Sequence, residues 1–167
     1  MNIAIIAKSV KIDGVKVPSV TSIDMPGFEF ETIDVNGTGI MGTLNIPIMG
    51  QLASMETTLH TQGRGAENAI LRVPGKRRIE ILTAEQTYAP GKDDKAVPGK
   101  IFMDARLKGS EGGSIEHATA VEGGATYEVT RLQEFAEGKE IFLADKETNQ
   151  FVVNGIDYMK PIRAAIQ

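Results

Sequence analysis

Residues 55–61 read Met-Glu-Thr-Thr-Leu-His-Thr, and their alternation decides the fold class. Met55, Thr57 and Leu59 fall on one side of an extended chain, and Glu56, Thr58 and His60 on the other, the period of a half-buried strand. Residues 101–108 repeat the pattern, with Ile101, Met103, Ala105 and Leu107 alternating with Phe102, Asp104, Arg106 and Lys108. β-branched and aromatic content predicts further strands over 3–12, 17–25, 77–88, 125–135 and 139–145. In the fourth of these the apolar phase slips, because Val129, Leu132 and Phe135 cannot share one face, and either a bulge or a twist between two sheets would accommodate that.

Turn chemistry joins these runs. Asp13-Gly14 and Asn154-Gly155 suit two-residue hairpins whose central residues need positive φ. A third pair, Asn36-Gly37, tips a long excursion over 28–47 that goes out from Phe28 and returns through Ile40 to Pro47. Helix is scarce. Residues 65–73 predict a short one, closed by Pro74-Gly75, and residues 158–166 another, with Pro161 in the first turn. The expectation is a single mainly β domain over 1–167, an antiparallel β-sandwich or barrel with one short packed helix and a long β-hairpin excursion.

Composition narrows the function. The chain of 167 residues has no Cys, which excludes disulfides, thiolate metal sites and Cys nucleophiles. It has only two His and carries a net charge of −4, against the basic surface of a general nucleic-acid binder. Ile3–Ala7 is far shorter than the ~20 residues of a membrane span and lacks a basic lead-in, so no membrane insertion is expected. Residues 64–108 carry ten basic and six acidic side chains, and residues 109–148 three basic and nine acidic. Either these zones are merely solvated, or they meet across identical subunits; assembly that weakens with salt identifies the second.

No catalytic constellation emerges. The glycine-rich runs 109–114 and 122–124 lack phosphate-loop spacing and carry Glu111 and Glu122. His60 and His117 share no motif with ligating partners, and Asp93-Asp94 lacks the rest of a calcium loop. Lys76-Arg77-Arg78 has no interleaved aromatics and is flanked by acids. No cofactor, metal or enzymatic activity is expected.

The C-terminal third is more specific. Lys139–Asp145, a spacer with Asn149, then Val153-Asn154-Gly155-Ile156-Asp157 and Arg163 resemble the ending of the major tail tube proteins of contractile-tailed phages, phage-tail-like bacteriocin tubes included. Upstream, Asp13-Gly14, Val20–Pro26, the excursion and Met55–Thr61 follow in the family's order. The resemblance implies hexameric rings of β subunits stacked into a hollow tube inside a contractile sheath, with a hairpin bridging rings. It implies as partners the chain itself, the sheath, baseplate and tape-measure proteins, and DNA passing transiently through the lumen. It also implies residence in a virion tail or tail-like particle assembled in the bacterial cytoplasm.

On that basis Phe28, Phe30, Ile33, Val35, Ile40, Met41 and Leu44, with Asn36-Gly37 at the tip, are the expected inter-ring contact. The plain alternative is that these apolar residues pack back on their own domain. Glu128, Glu134 and Glu140 are expected in the lumen or at a ring contact, and Ile3–Ala7 and Ile162–Ile166 as adhesive ends. Two other functions stay open: a type VI secretion tube protein, and a small β-barrel module binding a ligand or single-stranded DNA.

Overall fold

The computed structural model describes residues 1–167, and most of them lie in strands. In chain order these are β1 (Asn2–Ile12), β2 (Val15–Lys16), β3 (Val20–Asp24), β4 (Phe30–Val35), β5 (Leu44–Leu52) and β6 (Glu56–Gln62). Then come β7 (Lys76–Thr87), β8 (Ala96–Glu111), β9 (Glu122–Ala136), β10 (Lys139–Asp145), β11 (Gln150–Val153) and β12 (Ile156–Asp157). Two short helices, α1 (Ala66–Ala69) and α2 (Lys160–Ala165), complete the fold, and α1 runs on as a 3-10 turn over Ile70–Arg72. The protein is mainly β, and every strand pairing is antiparallel.

Short hairpins explain the antiparallel order. Asp13-Gly14 and Asn154-Gly155 both take positive φ, as the mirror-image turn requires. Glu137-Gly138 makes a third such turn between β9 and β10, although Glu is an unusual residue at positive φ. The strand expected over 17–25 starts only at Val20. Pro18 cannot donate to a ladder, and a turn separates β2 from β3.

β9 organises the main sheet. It pairs with β8 along one edge, while its other edge is divided, β6 taking Glu122–Glu128 and β10 taking Arg131–Ala136. The division coincides with the slipped phase: Ala105 pairs with Val129 but Asp104 with Arg131, leaving Thr130 as an extra residue. The bulge turns Val129 and Leu132 to the same side, both buried, while Phe135 faces the other way against Phe102.

The sheet curls until its edges nearly meet. β3, β6, β9, β8, β7 and β1 follow one another, and Lys8 of β1 donates its ammonium to Thr21 O of β3 at 2.7 Å, which brings the two ends of this series together. Cross-strand rows fill the interior: Ile12, Ile79, Met103, Leu132 and Ala144 are consecutive partners on five strands. Leu71, from the 3-10 turn, plugs one end, and the fully buried Tyr127 donates its hydroxyl to Leu71 O at 2.5 Å. Burial pushes the Tyr127 phenol up to about 12, so it stays a neutral donor.

Two outcomes follow. Tyr127→Phe leaves the buried Leu71 carbonyl without a partner and should cost about 1–3 kcal/mol in chemical denaturation. His60 of β6 holds Asp24 of β3 at 2.8 Å, and this bond raises the imidazole pKa. Its stabilisation is complete below the ordinary value of about 6.5 and fades as pH climbs through the raised one. The melting-temperature gap between wild type and His60→Gln should therefore be larger at about pH 6 than at about pH 9.

Candidate assembly surface

β4 and β5 pair only with each other and stand apart from the main sheet. Val35 opposes Leu44 and Ile33 opposes Ile46, so these four aliphatic residues share one face. On the other face Asn45 donates to the Asp34 carboxylate at 2.8 Å. The tip, 36–43, turns through Gly39 and Gly42 at positive φ and leaves Met41 fully exposed. Ile33, Leu44, Ile46 and Ile48 are also exposed. The ribbon is thus amphipathic, with nothing in its own chain covering the apolar side.

Its root is the opposite. Ala53 N–H donates to Glu29 O at 2.8 Å and closes the base of the excursion, so the return strand runs past Pro47 to Leu52. Four of the six phenylalanines converge there: Phe28 stacks on Phe142 with centroids 5.3 Å apart, and both meet Phe151 edge-on while Phe30 tilts against it. The expected contact set therefore divides. Phe28 and Phe30 pack on their own domain at the root, whereas Ile33, Leu44 and Met41 project beyond it, with Val35 half-buried, Asn36 and Gly37 exposed and Ile40 half-buried in the tip.

The C-terminal motif locks this root. Asn149, Asn154 and Gly155 all take positive φ, which carries β11 into β12 and then into α2. Val153 and Ile156 pair across that turn. Arg163 reaches back from α2, donating to Asn149 O at 2.7 Å and to the Asp157 carboxylate. The Arg163 hydrogen bond holds the Asp157 carboxyl below the usual carboxylate range, and Asp157 also accepts from Met159 N–H at 3.0 Å. Met159, thereby buried, lies against Gly50 of β5, where a Cβ would stand 2.7 Å from its Sδ. Gly50 has φ of +76°, at the point where the ribbon's register jumps. Beside this contact lies an apolar cleft of about 500 Å³, lined by Phe30, Pro47, Met49, Phe151, Val153 and Tyr158.

The three carboxylates do not form one surface. Glu128 serves the root: Ser54 donates to it at 2.7 Å, and Lys146, which donates to Ala53 O at 2.6 Å, lies 4.0 Å away. Glu140 accepts from Gln133 at 2.7 Å on the outward face. Glu134 points the other way, in the core-facing row between Ile101 and Phe142, where burial raises its pKa. Around Glu128 the outward face is a lattice of ion pairs, Arg78 with Asp104, Lys108 with Glu56, and Lys76 and Arg106 with Glu147. Lys76 and Arg78, from the basic run 76–78, are neutralised in it, while Arg77 pairs with Asp13 at 2.9 Å. No cluster of three or more His, Asp or Glu is placed to hold a metal ion, and no helix is long and apolar enough to cross a membrane.

Sequence reasoning missed Gly50, Met159, Phe142 and Phe151 as determinants of the surface. The signal was present at Gly50, a lone glycine within a strand-like run, which marks a bulge or a close approach.

Comparison with solved structures shows the same fold. The sheath/tube terminator of an extracellular contractile injection system, PVC, in the extended state superposes with a TM-score of 0.56 at 17% identity, covering 81% of this chain and 98% of that one. A PVC sheath-tube complex chain gives 0.55 at 16% identity over 77% of this chain and 88% of that one. The tube-terminating cap of the anti-feeding prophage gives 0.54 at 18% identity over 77% and 87%. No curated protein matches the sequence. The family of phage tail tube protein FII matches residues 4–166, nearly the whole chain. The chain belongs to that family, and its role is that of a structural component of a tail tube.

Proposed function

We propose that this chain assembles into hexameric rings that stack into the hollow inner tube of a contractile phage tail or tail-like particle, serving as a conduit for DNA. The observation that carries this is the β4–β5 ribbon, an apolar face held out from the main sheet by a root far better packed than the ribbon itself. A two-stranded ribbon is marginal in water alone, so its exposed face is stabilised on a further surface. The likeness to a sheath-tube complex chain supports a sheath around the tube, with baseplate and tape-measure proteins as the remaining tail partners. The net charge of −4 favours passage of DNA over adhesion to it. The role is structural rather than catalytic, in a virion tail or tail-like particle assembled in the host bacterial cytoplasm.

Negative-stain microscopy across a concentration series tests the reading. Sixfold rings or hollow tubes of uniform width are expected, and a protein that stays monomeric even at high concentration and with preformed tail ends would overturn it. Deleting Asn36–Gly39 should abolish stacking and leave the melting temperature of the subunit nearly unchanged. Gly50→Ala forces a side chain into positive φ and against Met159, and should cost on the order of 1–3 kcal/mol. Its tube yield should fall much further than its stability, as should that of Arg163→Ala, because both misdirect the ribbon without touching the barrel core.

A further inference from the structure

We infer that the apolar face of the ribbon docks on the first half of β1 of a second copy. This rests on the tube reading above and names the surface on which that reading depends. In β1, Asn2–Ser9 have backbone partners on β7 only, since the hairpin with β2 reaches back no further than Val10, whose carbonyl accepts from Val17 N–H. The register with β7 jumps at Ile3 and again at Ile6. These bulges leave Ile3, Ile5 and Ile6 exposed within four positions, Ile5 by 65%, with Tyr88 exposed alongside and donating its N–H to Met1 O. A doubly bulged edge resists plain strand addition, so this surface is read through its side chains.

Two observations select this patch. The ribbon and its root, Gly27–Leu52, carry Glu29, Glu31 and Asp34, all exposed, and no Lys, Arg or His. Residues 1–12 carry Lys8 and Lys11 and no acid. On β7, Glu85 opposite Ile5 is occupied by hydrogen bonds from Asn2 and Thr83, and Glu80 opposite Lys11 is met by Arg78 at 3.8 Å, while Lys8 keeps its charge at the rim with one N–H donated to Thr21 O at 2.7 Å. An apolar strip with an acidic rim thus faces an apolar strip with a basic rim. The remaining exposed aliphatic residues do not compete: Val15, Val73, Ile115 and Ile141 are scattered along the chain, and Ile156 and Ile166 belong to the segment that locks the ribbon's own root. In a homopolymer the complement of the ribbon is encoded in the same sequence, and β1 supplies it. The contact is heterologous, so one copy offers its ribbon while its own β1 stays free for another, and growth continues.

The absence of cysteine makes a direct test clean. Ile33→Cys and Ile5→Cys proteins are prepared separately, mixed in equal amounts, allowed to assemble and oxidised. The mixture should give disulfide-linked pairs at least about tenfold more than either variant alone, since the contact joins different surfaces of two copies. Assembled tubes without that cross-link, or Ile33→Cys alone cross-linking as well as the mixture, would overturn the docking and leave the tube reading standing. Failure of the wild type to assemble at all would remove the tube reading itself. As a second arm, Lys8→Glu and Asp34→Lys should each depress assembly at low salt, and the two combined in one chain should restore it. A double variant no better than the singles, all three melting like wild type, would also overturn the pairing.

Discussion

The contact between Met159 and Gly50 is the constraint on which the exposed part of the molecule depends. A ribbon of two strands gains too little from its own ladder to hold one orientation. Its direction is set where it leaves the barrel, by an aromatic cluster on one side and a thioether against a bare backbone on the other. Gly50 has to be glycine twice over, for its positive φ and for the closeness of Met159. Met159 is in turn held by Asp157, and Asp157 by Arg163. A chain of local contacts in the last twenty residues therefore fixes a surface built a hundred residues earlier.

This explains why the C-terminal pattern is so specific. Asn149, Asn154 and Gly155 take the left-handed region at two successive bends, and few other residues do so cheaply. Asp157 and Arg163 are spaced so that a turn and the start of a helix bring them together. The motif's contacts fasten the root of the ribbon through Asn149, Asp157 and Met159.

Much of the fold was legible because period-2 alternation and Asn-Gly or Asp-Gly turns act locally. The phase slip between Val129 and Phe135 was legible too, but it fitted a bulge or a twist between sheets equally, and only the pairing of Asp104 with Arg131 and Ala105 with Val129 makes it a bulge at Thr130. The third tight turn was hidden by Glu137, which carries no turn signal. The candidate surface was only half readable. Sequence places Phe28, Phe30, Ile33 and Leu44 on one excursion, but Phe142 and Phe151 are more than a hundred residues from Phe28. That distant pair decides which excursion residues are root and which are free. The same limit applies to Glu134. Its neighbours along the chain suggest a solvated strand, while its neighbours across the sheet, Ile101 and Phe142, make it a carboxyl on the core side.

Charge separates the parts of the surface in the same way. On the outward face of the main sheet, acids and bases neutralise one another at 3.6–4.0 Å, and such exposed pairs contribute little each. That face has already met its electrostatic requirements within one chain. The ribbon and β1 differ in sign: residues 27–52 carry acids and no bases, residues 1–12 carry Lys8 and Lys11 and no acids, and both leave aliphatic side chains exposed. In the proposed contact, joining them would remove apolar area and opposite charge from water in a single step.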